Sequence, residues 1–123
     1  MEVLLDTSFI LSCIRKRIDF LSQLKDLGFK VVVPREVLEE LKDLRKSGRE
    51  SREDRTAIAV ALKMFELNKV KKTGLGSGGV DSGLIEKGKK GIYIATLDAA
   101  IKRSVPNKIV IFDSKKSVGI LRS

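Results

Sequence analysis

Short apolar runs alternate with helix-like stretches along most of this chain, and this alternation constrains the fold more than any other feature. Strands are predicted at residues 2–5 (EVLL), 30–33 (KVVV), 92–96 (IYIAT) and 109–112 (IVIF), with a weaker one at 70–73. Helical spacing predicts helices at residues 8–16, 19–27, 35–46, 51–67, 81–88 and 98–104. Apolar strands that alternate with helices favour a three-layer α/β/α sandwich around a central, mainly parallel sheet. The tail after Asp113 shows no pattern that predicts an element.

The length and the N-terminus indicate a single soluble domain. The 123 residues contain no internal repeat and no clear boundary, so we predict one domain over residues 1–123. No apolar run approaches the roughly 18 residues that a membrane-spanning helix needs. The first residues lack a basic segment before their apolar stretch and include Glu2 and Asp6, which is atypical of a signal peptide. We therefore expect a cytoplasmic protein with no membrane partner.

Histidine is absent and cysteine occurs once, which excludes several kinds of catalytic site. Without histidine there is no Ser-His-Asp or Cys-His triad and no HExxH zinc site. Cys13 lies in an apolar, helix-like stretch, where a buried structural thiol is expected. Any catalysis must then use carboxylates, lysines, hydroxyls or a metal ion held by oxygen ligands.

Three aspartates follow or open the elements at which a parallel sheet places its functional site. Asp6 directly follows the first strand, Asp98 lies two residues after the strand at 92–96, and Asp81 opens a helix after a glycine-rich loop. Sites in such sheets lie beyond the carboxyl ends of the strands, so these side chains should share one edge. Aspartate also caps helix N-termini, and for each residue taken alone capping and catalysis are equally good interpretations.

A fourth acid, Glu40, lies inside a predicted helix. The apolar stripe of this helix is predicted to consist of Val37, Leu41 and Leu44. Glu40 lies on the shoulder of that stripe, Glu39 on nearly the opposite side, and Glu36 and Asp43 further round toward solvent. Glu40 should therefore sit at the edge of the core. Considered without the aspartates, a glutamate in this position is better explained as a boundary residue with its carboxylate in water.

Converging carboxylates require a cation, and the overall charge indicates what such a site would act on. Mg²⁺ and Mn²⁺ prefer oxygen ligands, and a bound ion can activate water for attack on a phosphodiester. The chain has 25 Lys and Arg against 16 Asp and Glu, a net charge of +9. Such a balance favours a polyanionic partner, with nucleic acid first and an anionic membrane surface second.

Four motifs of the chain resemble those of the PIN domain, a family of small metal-dependent nucleases, in order and rough spacing. The motifs are MEVLLDTS, VPREVLEEL, GGVDSGLI and IYIATLD. The resemblance covers nearly the whole chain and implies four acidic positions that hold Mg²⁺ or Mn²⁺, matched here by Asp6, Glu40, Asp81 and Asp98. It also implies that Thr7, Ser8, Ser82 and Thr96 are polar residues beside the site. Ser82 stands where many relatives have a second aspartate, and Leu97 where an asparagine is frequent, which puts the catalytic rate in question more than the fold.

The resemblance implies a metal-dependent endoribonuclease that hydrolyses RNA, and two branches of the family compete. One branch contains the ribosomal-RNA-processing proteins, for which a pre-ribosomal particle is the expected partner. Two segments of this chain are similar to that branch, VPREVLEELKDL and ATLDAAIKRS. VapC-type toxins, which an antitoxin protein silences, are similar in length. A third interpretation is an RNA-binding ribosome-assembly factor with little or no cleavage activity. Homodimers are common among similar proteins.

Three further patterns complete the expectations. Basic residues that recur every three or four positions form a ridge if Gly48 does not break the helix, and this ridge is predicted to contact RNA. The alternative is a solvated helix surface whose basic residues pair with Glu36, Glu50 and Glu53. The ridge residues are Lys42, Arg45, Arg49, Arg52 and Arg55.

The segment GLGSGG at residues 74–79 satisfies GxGxxG, the fingerprint of dinucleotide-binding folds. The segment before it, KVKKT, is too polar for the central strand that this fingerprint requires, so we predict a flexible loop. All five phenylalanines are expected in the core: Phe9, Phe20, Phe29, Phe65 and Phe112.

Overall fold

The computed structural model describes residues 1–122 and shows strands and helices in the predicted alternation. The strands are β1 (Glu2–Leu5), β2 (Lys30–Pro34), β3 (Lys71–Thr73), β4 (Tyr93–Ala95), β5 (Asn107–Phe112) and β6 (Ser117–Arg122). The helices are α1 (Thr7–Arg15), α2 (Phe20–Asp26), α3 (Arg35–Ser47), α4 (Arg52–Leu67), α5 (Val80–Lys89) and α6 (Ala99–Ser104). Within residues 1–122, no helix is both long and apolar enough to cross a membrane.

The six strands form one sheet in the order β3-β2-β1-β4-β5-β6. All neighbouring pairs among β1 to β5 are parallel, and β6 pairs antiparallel with β5. From β1 the chain first builds outward through β2 and β3, and then returns to the other side of β1 with β4. The strand order therefore reverses between β1 and β4, and the crevice beyond the carboxyl ends of these two strands is where sheets of this kind bind ligands.

Side chains that alternate along the central strands divide the interior into two cores. In β1, Val3 and Leu5 belong to the larger core, whereas Leu4 belongs to the smaller one on the other face of the sheet. The larger core is completed by apolar residues of α1 to α4, and the smaller by residues of α5 and α6, including Leu84 and Ile101. Strands covered on both faces give the predicted three-layer α/β/α fold, which is confirmed.

The tail after Asp113, where the sequence shows no strong pattern, forms β6, so an element was missed there. A short 3-10 turn, Asp113–Lys115, leads into β6, which pairs with β5 from Asn107↔Arg122 to Phe112↔Ser117. The strand was hard to predict because Gly119 interrupts its apolar pattern. A Cβ at Gly119 would collide with the ring of Phe112. Phe112 lies over this glycine and is 43% exposed, so its predicted place in the core was also wrong, whereas the other four phenylalanines are buried.

The predicted continuous basic ridge does not form, because Gly48 ends α3. Gly48 adopts the left-handed conformation (φ 69°), which glycine reaches without the steric cost that other residues meet. The basic residues therefore lie on two separate helices and the turn between them. Lys42 and Arg45 line one depression of the surface, Arg49 a second and Arg52 a third. RNA contact by the individual residues stays a prediction.

Cys13 is the buried structural thiol that was expected. Its side chain is fully buried in the larger core. Burial disfavours the thiolate and raises the pKa of Cys13 to about 12, so the thiol stays protonated at neutral pH. Cys13 is therefore a packing residue.

Candidate metal centre

Asp6 lies at the carboxyl end of β1 and is held there from several sides. Its backbone N–H donates to the carbonyl of Ala95 (2.9 Å), which ties it to the end of β4. Its Oδ1 accepts a hydrogen bond from the Thr7 N–H (2.9 Å), and its Oδ2 accepts one from the Thr96 hydroxyl (2.7 Å). The side chain of Ser8 also donates to Oδ2 at 3.5 Å. Asp6 is only 8% exposed, so a fixed and largely buried carboxylate stands at the switch point of the sheet.

Burial raises the pKa of Asp6 above its usual value, because a desolvated carboxylate ionises less readily. The hydrogen bonds from Thr96 and Thr7 oppose this shift, and the negative charges of Asp81 and Asp98 add to it. Three carboxylates from distant parts of the chain are thus close enough to repel one another. A bound cation would relieve this repulsion.

Asp98 and Thr96 join β4 and α6 to the same site. Asp98 is the N-cap of α6, and its Oδ1 accepts from the Ile101 N–H (3.1 Å). The Asp98 N–H donates to the Thr96 hydroxyl oxygen (3.1 Å), and that hydroxyl donates in turn to Asp6. Asp98 therefore caps a helix, as one interpretation predicted, and a role in catalysis stays a prediction for this residue. Thr96 is buried and fixes the two aspartates relative to each other.

All four predicted acids line one surface pocket, together with two hydroxyl residues and two apolar ones. The lining residues are Asp6, Thr7, Ser8, Glu40, Val80, Asp81, Leu97 and Asp98. Asp81 is exposed in the first turn of α5, and Glu40 is exposed on α3. Ser82 does not line the pocket; its Cβ faces Gly78 instead. The structure thus brings together four side chains that lie up to 92 positions apart in the sequence (98 − 6).

Glu40 reaches the pocket from a more exposed position than the edge of the core that was predicted. The buried face of α3 consists of Val37, Leu38 and Leu41, and Leu44 is only partly buried. With Leu38 in place of Leu44, the centre of the buried face turns about 40° away from Glu40, at 100° per residue. Glu40 is therefore free to approach the aspartates across solvent.

Glu36 was expected to point toward solvent, and this was wrong. It is half-buried, and its two carboxylate oxygens lie 3.0 and 3.2 Å from the backbone nitrogen of Leu75, which donates to them. Leu75 is buried and packs against Gly83 of α5, where an added Cβ would lie 2.6 Å from the Leu75 Cβ. The lone leucine among the glycines of residues 74–79 was the sequence signal that this loop is anchored.

The oxygen donors of the pocket fit a hard divalent cation. They are carboxylates and hydroxyls only, and the Thr7 hydroxyl is buried with no hydrogen-bond partner within residues 1–122. In this same part of the chain, no three acidic side chains lie close enough together to form a ready-made metal cluster. This does not oppose the fit, because Mg²⁺ is commonly bound through one or two carboxylates and keeps several waters. The side chains of Asp81 and Glu40 are exposed and can adjust.

The comparison with known families agrees with the fold. A family model described as a PIN like domain matches residues 3–112, a span that includes all four acids. The chain belongs to the PIN-like domain family. Thirteen chains of solved structures match this PIN-like domain. One is described as the structure of the PIN domain endonuclease Utp24, with a TM-score of 0.74 and 18% identity over 99% of this chain and 92% of that chain. No curated protein matches.

Proposed function

We propose that this PIN-like domain is an endoribonuclease that depends on Mg²⁺ or Mn²⁺. The observation that most supports the proposal is the convergence of Asp6, Glu40, Asp81 and Asp98 on one pocket at the switch point of the sheet. Membership of the PIN-like family and the likeness in fold to an endonuclease add support. Asp6, Asp81 and Asp98 would hold the metal, and Glu40 would complete the cluster or position water.

The protein's own groups prepare the site for this chemistry. A bound divalent ion supplies activation of water and stabilisation of the charge that develops on the phosphodiester. Thr96 and the Thr7 N–H hold the Asp6 carboxylate in one orientation, which lowers the cost of ordering it when a ligand binds. The Thr7 hydroxyl and Ser8 lie beside this carboxylate and can orient a ligand. Four carboxylates alone would repel a phosphodiester, so the substrate can enter only after they are neutralised.

The RNA that we propose as substrate is ribosomal, because the motifs around Glu40 and Asp98 resemble the ribosomal-RNA-processing branch. The net charge of +9 supports a polyanionic substrate. We expect a cytoplasmic protein that meets its substrate within a pre-ribosomal particle. The toxin alternative predicts instead that expression is toxic and that a co-encoded partner relieves the toxicity.

One observation favours a second candidate, an RNA-binding assembly factor that cleaves weakly. Leu97 lines the pocket and is 38% exposed, and it places an apolar side chain where many relatives have asparagine. A polar neighbour that could orient a metal ligand is thereby lost. Replacing Leu97 with Asn should raise the cleavage rate if this side chain limits activity.

The experiment that tests the proposal is RNA cleavage in Mn²⁺ by the wild type, by Asp98→Asn and by the Asp6→Asn/Asp98→Asn double variant. We expect each change to slow cleavage at least about a hundredfold, equivalent to roughly 3 kcal/mol of transition-state stabilisation. Asp26→Asn is the matched control, because Asp26 is an exposed aspartate of α2 outside the pocket. Cleavage that survives the double change would refute the site. Wild-type RNA binding without any cleavage would favour the assembly factor.

A further inference from the structure

A second surface feature of the chain is a groove between α3, the end of α4 and β3, which we call the basic groove. Its lining residues are Lys42, Arg45, Lys69, Lys72, Leu38, Leu62, Phe65, Glu66 and Val70. Four are basic and one is acidic. Lys69 follows the last turn of α4, Lys72 lies in the edge strand β3, and neither was singled out in the sequence. The groove therefore combines positive charge from α3 with that of the segment that joins α4 to β3.

Most of this positive charge is not neutralised by the protein. Lys42 forms an exposed pair with Glu39 at 3.6 Å, a distance and exposure at which ion pairs stabilise little. Within residues 1–122, no ion pair involves Arg45, Lys69 or Lys72. All four basic side chains are exposed. They are free to contact an anion without first breaking a strong internal interaction.

The basic groove lies on the opposite side of α3 from the pocket lined by Asp6, Glu40, Asp81 and Asp98, which we call the carboxylate pocket. At 100° per residue, Arg45 projects about 140° and Lys42 about 160° away from Glu40. The acids of α3 share a sector about 100° wide whose centre lies about 140° from the mean direction of the groove lysine and arginine, and only Glu39 at its edge pairs with a groove residue, Lys42. The sector consists of Glu36, Glu39, Glu40 and Asp43. A polyanion is repelled along the acidic sector and attracted along the groove, so α3 directs where such a molecule can lie.

Lys69 occupies a backbone conformation that a lysine adopts only at a cost. Its φ is +49°, at the position that follows the last turn of α4, where glycine is the usual residue. Its N–H donates to the carbonyl of Glu66 and closes the helix end. A lysine in place of glycine here puts a positive charge into the groove at the expense of backbone strain. A strained residue of this kind is a reason to look for a functional role.

We propose that the basic groove binds the phosphate backbone of RNA outside the carboxylate pocket. The proposal rests on the proposed function for the identity of the polyanion as RNA. Charge favours RNA over an acidic peptide, because the groove presents four exposed cations against the single acid Glu66, and a chain of phosphates needs only such cations. Of its apolar residues, Phe65 and Leu38 are only 4% and 8% exposed, and the apolar surface that a peptide could contact is limited to the partly exposed Leu62 and Val70.

The test measures binding of a labelled single-stranded RNA oligonucleotide to the full chain in EDTA, as a function of salt. The variant is Lys69→Gly/Lys72→Gln, and the matched control is Lys25→Gln/Lys89→Gln, two exposed lysines outside the groove. We expect roughly tenfold weaker binding for the groove variant alone. The slope of log K against log salt should fall by about 1.4, since each lost contact to single-stranded RNA contributes about 0.7.

The single change Lys69→Gly separates a loss of RNA contact from a loss of folding stability. Glycine relieves the left-handed strain, so the midpoint of thermal unfolding should rise while RNA affinity falls. A purely structural role of Lys69 cannot give this combination.

Equal RNA affinity for the groove variant and the control would overturn the proposal. Poly-L-glutamate binding that depends on the groove, with RNA binding that does not, would overturn it in favour of an acidic peptide. Groove-dependent RNA binding without any cleavage by the wild type would support the groove while the proposed nuclease function fails.

Discussion

Asp6 combines two properties that act against each other in the folded chain. Its carboxylate caps α1 and accepts the Thr96 hydroxyl, and both interactions favour the ionised form. Burial and the neighbouring charges of Asp81 and Asp98 nevertheless raise its pKa. The free energy of unfolding is therefore lower when Asp6 is ionised than when it is neutral. This is the pattern expected of a residue kept for ligand binding at the expense of stability.

The first prediction follows from the sign of this shift. Because the folded-state pKa of Asp6 lies above the unfolded value of about 3.8, the contribution of Asp6 to stability is fully present below that value and is lost as pH rises through the folded-state pKa. Asp6→Asn cannot ionise and can still accept the Thr7 N–H. In EDTA at pH 7 it should unfold a few degrees higher than the wild type, and the difference should vanish near pH 3. The measurement is thermal unfolding by circular dichroism, with Asp26→Asn as the control. A variant less stable than the wild type at pH 7 would contradict the prediction.

At the residue scale, the sequence predicted the acids that follow strands and missed those that depend on tertiary contacts. Asp6 and Asp98 were predictable because each comes next to a clear apolar run, and parallel strands end at one edge. The half-buried position of Glu36 could not be predicted, because it depends on a loop that lies 39 residues further along the chain (75 − 36) and folds back over α3. The exposure of Phe112 depends in the same way on pairing with a strand that had no clear pattern.

At the scale of elements, the segment 74–79 fixes where α5 begins and thus where Asp81 lies. Its Leu75 is held by Glu36 on one side and packs against Gly83 on the other. The N-cap of α5 is Gly79, which provides no side-chain hydrogen bond to the helix start. The position of the helix start therefore depends on the Leu75 contacts.

The second prediction concerns Glu36, with two variants as a matched pair. Glu36→Ala removes the acceptor of the Leu75 N–H, whereas Glu36→Gln keeps an oxygen in the same place. We expect hydrogen–deuterium exchange of residues 74–80 to become roughly tenfold faster in the alanine variant, since one hydrogen bond to a charged group contributes about 1.5 kcal/mol. Mn²⁺-dependent cleavage should fall with it, and the glutamine variant should resemble the wild type. Equal exchange in all three proteins would show that this bond does not position the loop.

The predictability of the elements follows the strength of their local signals. The helices at 35–46 and 51–67 have strong apolar periodicity and caps, and the structure has them at 35–47 and 52–67. The break between them had a local cause as well, since Gly48 takes a left-handed conformation. In contrast, β6 contains an interior glycine, and its stability comes from pairing with β5, which no local pattern reveals.

At the scale of the whole molecule, β6 closes one side of the sheet and completes the larger core. Its Val118 is buried, and its N–H donates to the Gln23 side chain of α2 at 2.8 Å. The helical layer that contains α2 thus packs on this strand, at a distance from the pocket that the four acids line. The sheet that aligns Asp6 and Asp98 requires both of its sides to be covered.

The third prediction is that a chain ending at residue 113 loses most of its stability. Removing β6 leaves the backbone groups of β5 unpaired and exposes the core around Val118. The loss should be roughly 5 kcal/mol or more, comparable to the total stability of a small domain. Urea denaturation followed by circular dichroism measures it, and a chain ending at residue 122 is the control. A cooperative transition of the truncated chain at an unchanged urea concentration would show that β6 is dispensable.

The central claim, that four carboxylates from distant parts of the chain share one divalent-cation site, is tested most directly by diffraction from crystals soaked in Mn²⁺. The anomalous signal of manganese locates the ion without reference to activity. We predict a peak within the pocket between Asp6, Asp81 and Asp98, and its loss in crystals of Asp98→Asn. A Mn²⁺ peak only at other carboxylates, or none in the pocket at a concentration that supports cleavage, would contradict the account.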